Sequence, residues 1–148
     1  MVELGKLNLK GRFVVVGGGA MAVRGLRDAH DLDIVADEKC WADLLARPPP
    51  DTMVVQKNYL QNIGGVIVPH PDIQVFDRLA VRNDLGSETP RIYMEPFEQL
   101  YERALVINGV RFQTLESLVA MKEVMDRPKD KEDTALLKRI IEWGNAPW

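Results

Sequence analysis

The sequence predicts a mixed α/β (α+β) fold, in which helices flank a β-sheet and the C-terminal helices pack on it. The β-branched run Phe13–Val16 enters three consecutive glycines, and a second apolar run follows a short segment of small residues. Apolar runs bounded by Gly, Pro and Asn fill the middle of the chain, and the C-terminal third has apolar residues at helical spacing. A length of 148 residues suits one domain, so we expect residues 1–148 to form a single domain.

The elements of the N-terminal half follow from apolar runs and from residues that start or stop a helix. Asp37 is a preferred helix N-cap, and the prolines after Arg47 end the helix that it starts, because proline lacks a backbone N–H. Gly25 can end a short helix in the left-handed conformation. The predicted elements are strands over residues 6–10, Phe13–Val16, 31–36 and 53–57, and helices over residues 20–26 and Glu38–Ala46.

In the C-terminal half, turn-forming residues separate the predicted elements. Pro69 and Pro71 are expected to break the strands around them, and Asn108 with Gly109 suits the type I′ turn of a hairpin. The strands before residue 77 should extend the sheet in antiparallel fashion, and residues 82–91 should form a mobile loop. The predicted elements are strands 66–68, Ile73–Phe76, Leu105–Ile107 and Val110–Phe112, and helices Phe97–Arg103 after Pro96, Leu115–Met125 after Thr114, and from Lys129 or Asp130 to Gly144.

The composition restricts the classes of protein to consider. A net charge of −3 gives no general attraction for nucleic acid, so an RNA or DNA partner would need a local basic patch. Cys40 is the single cysteine, which excludes an internal disulfide framework and favours a reducing cytoplasm. No apolar run has the length of a membrane helix, and residues 1–12 lack the apolar core of a signal peptide. We therefore expect a cytoplasmic protein that has no membrane partner.

Two carboxylates lie two residues apart on the second predicted strand. Successive side chains of a strand alternate between faces, so Asp31 and Asp33 project to one side while Leu32 and Ile34 project to the other. Two neighbouring carboxylates raise each other's pKa unless a cation lies between them. Mg2+, which binds carboxylate oxygens together with substrate phosphates, suits this position.

Gly17, Gly18 and Gly19, here called the glycine turn, supply the other half of a phosphate site. Glycine allows the backbone to approach a ligand closely, and the N–H groups at the start of a helix attract an anion. The glycine turn follows a strand and opens a helix, as such a phosphate-binding turn requires. A phosphate on one side and a metal on the other describe a site for a nucleoside triphosphate.

Two segments of the chain carry a family resemblance. The first contains the glycine turn, a short helix and the hDhDh strand His30-Asp31-Leu32-Asp33-Ile34, where h is apolar. The second contains a helix with Lys122 and then the R-x-K-D-x-x-D segment from Arg127 to Asp133. In this order the two segments resemble the nucleotidyltransferase superfamily of DNA polymerase beta-like enzymes, especially its small prokaryotic members. The resemblance implies that nucleotide-binding residues are Gly17, Gly18, Gly19, Arg27, Lys122, Lys129 and Asp130.

The resemblance also implies a third carboxylate on a later strand, which would complete a two-metal site. The natural alignment on Ile73–Phe76 places Gln74 or Phe76 where this acid is expected. Asp77 is our candidate for the third acid and Asp72 is the alternative, although both are out of place by one residue or more, and a shift of one residue on a strand reverses its face. The predicted catalytic and metal-binding residues are thus Asp31, Asp33 and Asp77, with Mg2+ as the cofactor.

The resemblance implies an enzyme that moves a nucleoside monophosphate from an NTP to a hydroxyl of an RNA, a protein or a small molecule. Relatives take part in toxin–antitoxin pairs, antibiotic modification and the modification of tRNA or protein. The alternative is a binding or regulatory module of the same fold, antitoxin-like, whose incomplete acid set cannot perform the transfer. A Rossmann dinucleotide site is a third possibility, although the glycine turn lacks the G-x-G-x-x-G spacing. Because the chain is short for this class of enzyme, a homodimer could complete the cleft.

Overall fold

A mixed sheet forms the centre of the computed structural model, which describes residues 7, 9–29, 31–55, 60–83 and 91–144. The strands of these residues are β1 (Phe13–Val16), β2 (Leu32–Ala36), β3 (Met53–Val55), β4 (Val66–His70), β5 (Ile73–Phe76), β6 (Leu79–Asn83), β7 (Arg91–Glu95), β8 (Leu105–Ile107) and β9 (Val110–Phe112). Seven of them form the main sheet in the order β3-β4-β5-β2-β1-β9-β8, and β6 pairs with β7 as a separate hairpin.

The helices pack against these strands. They are α1 (Gly18–Ala22), α2 (Glu38–Ala46), α3 (Phe97–Arg103), α4 (Leu115–Met125) and α5 (Pro128–Glu142). The C-terminal helices α4 and α5 pack on each other, and α4 also contacts β6 and β7. Leu118 and Leu137 from these two helices are fully buried, as are Val15 and Ile34 in the sheet. The predicted fold class, a mixed sheet flanked by helices with the C-terminal helices packed on it, is confirmed.

The register of the central strands determines which residues meet. β1 pairs antiparallel with β2, so that Val16 lies opposite Asp33. β2 pairs in parallel with β5, which places Gln74 opposite Asp33 on its other side. The end of β1, Asp33 and Gln74 therefore lie side by side, and the glycine turn begins directly after Val16.

Elements that have strong local signals form where the sequence predicts them. The side chain of Asp37 accepts a hydrogen bond from the backbone N–H of Cys40 at 2.8 Å, and Thr114 accepts one from Ser117 at 3.1 Å. These N-caps start α2 and α4 as predicted. Asn108 and Gly109 both have positive φ, 51° and 78°, as the type I′ turn between β8 and β9 requires.

Other elements differ from the predictions because tertiary contacts determine them. Helix α1 begins within the glycine turn, at Gly18, and ends at Ala22, before the predicted end at residue 26. Gly19 packs so closely that a Cβ there would lie 2.8 Å from Cγ1 of Val15, so only glycine fits at this position. Strand β4 continues through Pro69 to His70, and an irregular register between Ile67 and His70 accommodates the proline. The antiparallel prediction holds for β3, β4 and β5 among themselves, whereas β5 is parallel to β2.

The hairpin of β6 and β7 includes residues that the sequence assigns to a loop. Arg82, Asn83 and Arg91 lie in paired strands, and residues 84–90 are outside the described part of the chain. The predicted strand over residues 6–10 also falls partly outside it, and the described residues there, Leu7, Leu9 and Lys10, are not in a strand. His30 and residues 56–59 are likewise not described. In the described segments, no helix has the length and apolar character needed to cross a membrane.

Candidate functional site

A cleft of about 620 Å3 separates one face of the main sheet from the C-terminal helices. Both ends of the chain contribute to it, since β1 and β2 supply one side while α4 and α5 supply the other. Its apolar surface comes from Val35, Phe76, Leu79, Val81, Met121 and Met125. Its predicted site residues are Gly17, Gly18, Arg27, Asp31, Asp33, Lys122 and Lys129.

The acid pair lies at the sheet side of the cleft. Asp31 is exposed just before β2, whereas Asp33 is partly buried within the strand. Burial, and next the charge of Asp31, raise the pKa of Asp33 to about 6, although the positive charges of Lys129, Arg127 and Lys122 act in the opposite direction. A cation bound between the two carboxylates would lower this pKa and relieve their repulsion.

The glycine turn lies directly against the acid pair. Gly17 has φ 64°, and a Cβ at this residue would come within 3.4 Å of Oδ2 of Asp33. The backbone N–H of Gly17 donates to Oε1 of Gln113 at 2.9 Å, so this N–H is already used within the protein. Gly18 lines the cleft, while Gly19 packs beneath it against Val15. The first helical N–H groups have no partner within a helix, so Gly18 offers the N–H best placed for a phosphate.

Five charged residues lie beneath the helix side of the cleft, and we call them the charge network: Arg27, Lys122, Arg127, Asp130 and Asp133. Nζ of Lys122 lies 3.0 Å from Asp133 and 3.5 Å from Asp130. Arg27 pairs with Asp133 at 2.7 Å, and Arg127 pairs with Asp130 at the same distance. Three cations and two anions leave a surplus of one positive charge beside the acid pair.

Asp130 belongs to this network and does not reach the cleft surface. It is fully buried, and its side chain accepts hydrogen bonds from the backbone N–H and the guanidinium of Arg127. Burial alone would raise the pKa of Asp130, but these hydrogen bonds and the charges of Arg127 and Lys122 hold that pKa below its ordinary value. Its position in the first turn of α5 therefore caps the helix and compensates the buried ammonium of Lys122.

Lys129 is the predicted cation most available to a ligand. It is exposed on the first turn of α5, it lines the cleft, and no ion-pair partner for it occurs among the residues that the structure describes. The side chain of Lys122, in contrast, is only 3 % exposed, and two carboxylates already compensate its charge. We infer that Lys129 and the outer edges of Arg27 and Arg127 are the groups that can bind phosphate.

Asp77 lies away from the cleft. It pairs with Arg78 at 3.1 Å and lines a different cavity, of about 920 Å3, together with Arg12 and Asp37. The physical reason is strand alternation: Gln74 faces Asp33, and a residue three positions later points to the opposite face. The structure therefore does not bring Asp77 to Asp31 and Asp33. Within the described ranges, no three His, Cys, Asp or Glu side chains form a group that could hold a metal ion.

Gln113 is a site residue that the sequence analysis missed. It is fully buried at the end of β9, where Oε1 accepts from Gly17 and Nε2 donates to Oγ of Ser117 at 2.9 Å. The Ser117 hydroxyl in turn donates to Glu95 at 2.6 Å. A single glutamine between a hairpin and a helix cap has no periodic signal, so only the three-dimensional contact with the glycine turn identifies it.

The residues present fit one Mg2+ ion carried with phosphate. Asp31 and Asp33 supply carboxylate oxygens, and the pKa of Asp33, which burial and next the charge of Asp31 raise, would fall if a cation bound between them. Magnesium commonly binds through one or two carboxylates and substrate phosphates, with water in the remaining positions. Gln74 beside Asp33 offers an amide oxygen, which is a weaker ligand than the third carboxylate of a two-metal site.

Comparison with known proteins does not identify a family for this chain. No protein-family model matches it, and a search of curated proteins returns no match to its sequence. The resemblance to nucleotidyltransferases therefore stays a prediction based on the two motifs. The mixed sheet and the composition of the cleft are the observations on which a function can be argued.

Proposed function

We propose that the cleft binds a nucleoside triphosphate with Mg2+ and that the protein transfers a nucleoside monophosphate from it to a hydroxyl acceptor. One observation carries the proposal: a single cleft combines an acid pair, a glycine turn and a group of cations around an apolar surface. Each part is common alone. Their combination matches the charge distribution of a metal-bound triphosphate joined to an apolar base.

The charges of the cleft suggest how the substrate lies. The triphosphate would extend from the glycine turn towards Lys129 and Arg127, where positive charge is in excess. Asp31 and Asp33 would hold Mg2+ against its oxygens. The base would contact Phe76 and the other apolar residues of the cleft. This arrangement separates the anionic and apolar parts of one ligand along one cleft.

In the transfer, the acceptor hydroxyl oxygen forms a bond to the α-phosphorus, and the bond from that phosphorus to the β-bridging oxygen breaks. Pyrophosphate leaves with the electron pair of the broken bond, and the hydroxyl proton passes to a carboxylate of the acid pair or to water. Mg2+, when bound, stabilises negative charge on the phosphates and acidifies the hydroxyl. The cations of the cleft stabilise the departing pyrophosphate.

Nucleotide binding without transfer is the second candidate function, and Gln74 favours it. This residue lies directly beside Asp33, where the resemblance implies an acid, and an amide cannot replace a carboxylate as a bridging ligand or a base. A protein with this site would bind Mg2+ and NTP without transferring a nucleotide, and it would act by regulating a partner.

Calorimetric titration tests the binding step that both candidates share. ATP, CTP, GTP and UTP are titrated with Mg2+ into the wild type, into the double variant Asp31→Ala/Asp33→Ala, and into Asp51→Asn. Asp51 is an exposed acid outside the cleft and serves as the matched control. We expect Mg2+-dependent binding that the double variant loses and that Asp51→Asn keeps. If no nucleotide binds, or if the double variant binds as well as the wild type, both candidates fail.

Incubation with α-labelled NTP separates the two candidates. Transfer predicts label on an acceptor with stoichiometric release of pyrophosphate, and Gln74→Asp should increase the rate because it supplies the third acid. Binding without transfer predicts that the wild type binds the nucleotide but releases no pyrophosphate, and pyrophosphate release by Gln74→Asp alone would show that the missing acid is what prevents the transfer.

A further inference from the structure

A second cavity, of about 480 Å3, lies outside the candidate cleft and shares no lining residue with it. The end of α3, strand β7, the start of α4 and the end of α5 surround it. One wall is apolar, formed by Leu115, Ile140 and Ile141, and the other is polar. Small-molecule sites commonly combine an apolar wall with a few convergent polar groups.

The polar wall contains a buried carboxylate, Glu95, that forms no ion pair with a described residue. Glu95 is 7 % exposed, yet no cationic side chain among the described residues lies within ion-pair distance of it. A buried charge is normally paired, because desolvation is costly unless an opposite charge compensates it. The described residues alone therefore supply no ion pair to the buried carboxylate of Glu95.

Hydrogen bonds fix the orientation of this carboxylate and occupy one of its two oxygens. The hydroxyls of Tyr93 and Ser117 both donate to Oε1 at 2.6 Å. Burial and the bond to Glu95 raise the pKa of Tyr93 to about 12, so the phenol remains a donor at neutral pH. Gln113 holds Ser117 in turn at 2.9 Å. A group fixed in this way binds a ligand with little loss of conformational freedom.

The second oxygen of Glu95, Oε2, remains available to a ligand, and Glu95 lines both this cavity and the cavity of about 920 Å3 near Asp77. No hydrogen bond from a described residue reaches Oε2, and this atom is not among the buried polar atoms that lack a partner, so it keeps contact with solvent. Glu116 adds a second negative charge at the cavity, while Arg103 is exposed there. Two acids and one base give the cavity a net negative charge.

We propose that this cavity is a binding site for a small organic cation, whose ammonium or guanidinium group pairs with Oε2 of Glu95 and whose alkyl part packs against Ile140 and Ile141. The cation supplies the ion-pair partner that the buried carboxylate lacks among the described residues. Its donors complete the hydrogen bonding of the carboxylate, and its alkyl part removes apolar surface from water. The site is separate from the proposed nucleotide cleft and does not depend on it.

Titration of the full chain with butylguanidinium, followed by the backbone amide signals in nuclear magnetic resonance, tests the site. Butylurea is the matched neutral probe, since it has the same shape without the charge. We expect butylguanidinium to bind at least about tenfold more tightly than butylurea, with shifts around residues 93–95 and 114–117. Equal binding of the two probes, or shifts only at surface acids elsewhere, would overturn the proposal.

Variants locate the probe within the cavity. Glu95→Gln should weaken butylguanidinium binding by at least about tenfold, while Glu98→Gln, on the neighbouring helix and outside the cavity, should leave it unchanged. Ile141→Trp keeps the carboxylate and fills the cavity from a partly exposed position, so it should also block binding even if Glu95→Gln fails to fold. Retained binding in either cavity variant would refute the site. Binding that appears only in Arg103→Gln would also refute it, because Arg103 would then be the countercharge of Glu95.

Discussion

Asp33 lies between the negative charge of Asp31 and the positive charges of Lys129, Arg127 and Lys122. Burial and Asp31 raise its pKa, and Lys129 with Arg127 and Lys122 partly offset this effect. At neutral pH the carboxylate is mostly ionised, so the folded protein retains an unfavourable charge at this residue. Such a cost is common at functional sites, where a ligand supplies the missing countercharge.

Asp33→Asn should stabilise the protein at high pH and have little effect at low pH. The pKa of Asp33 rises from 3.8 to about 6 on folding, so ionisation opposes folding as the pH increases between these values and costs the full amount above about 6. Two pKa units correspond to at most about 3 kcal/mol in the free energy of unfolding. Urea unfolding of wild type and variant at pH 4 and pH 8 measures the difference. An equal difference at both pH values would show that Asp33 has an ordinary pKa.

At the scale of elements, the two sides of the cleft differ in how far the sequence predicts them. The face of Asp31 and Asp33 follows from strand alternation, and α2, α4 and the β8–β9 hairpin follow from caps and turn residues. The pairing of Lys122 with Asp130 and Asp133 joins two helices, and no local pattern distinguishes such a pair from ligand-binding charges. The sequence also does not predict the start of α1 or the β6–β7 hairpin, because packing between distant parts of the chain determines both.

The charge network should contribute to stability through the contact between α4 and α5. Lys122→Met leaves the buried Asp130 and Asp133 with less compensation, and we expect a loss of about 3 kcal/mol in the free energy of unfolding. Lys138→Met is the matched control, because its pair with Glu123 at 3.5 Å joins the same two helices on the exposed surface and should change stability by less than about 1 kcal/mol. Chemical unfolding of both variants provides the comparison. Similar losses in the two variants would contradict the structural role of Lys122.

At the scale of the whole molecule, the cleft depends on folding of the entire described chain. Its charged residues extend from Arg27 to Lys129, and they come together only when α4 and α5 pack beside the sheet. One chain supplies both the acid pair and the cations. We therefore expect the proposed nucleotide site to form within one chain.

Because the unfolded chain does not contain this cleft, Mg2+ with a bound NTP should stabilise the folded protein. A ligand present at about 100 times its dissociation constant adds about 2.7 kcal/mol, which corresponds to a rise of roughly 5–10 °C in Tm for a chain of this size. Thermal unfolding with and without Mg2+ measures the rise, and Asp31→Ala/Asp33→Ala should abolish it. Repeating the scan at two protein concentrations tests the single-chain site: a rise that grows with protein concentration at fixed free NTP would mean that a second copy completes the cleft.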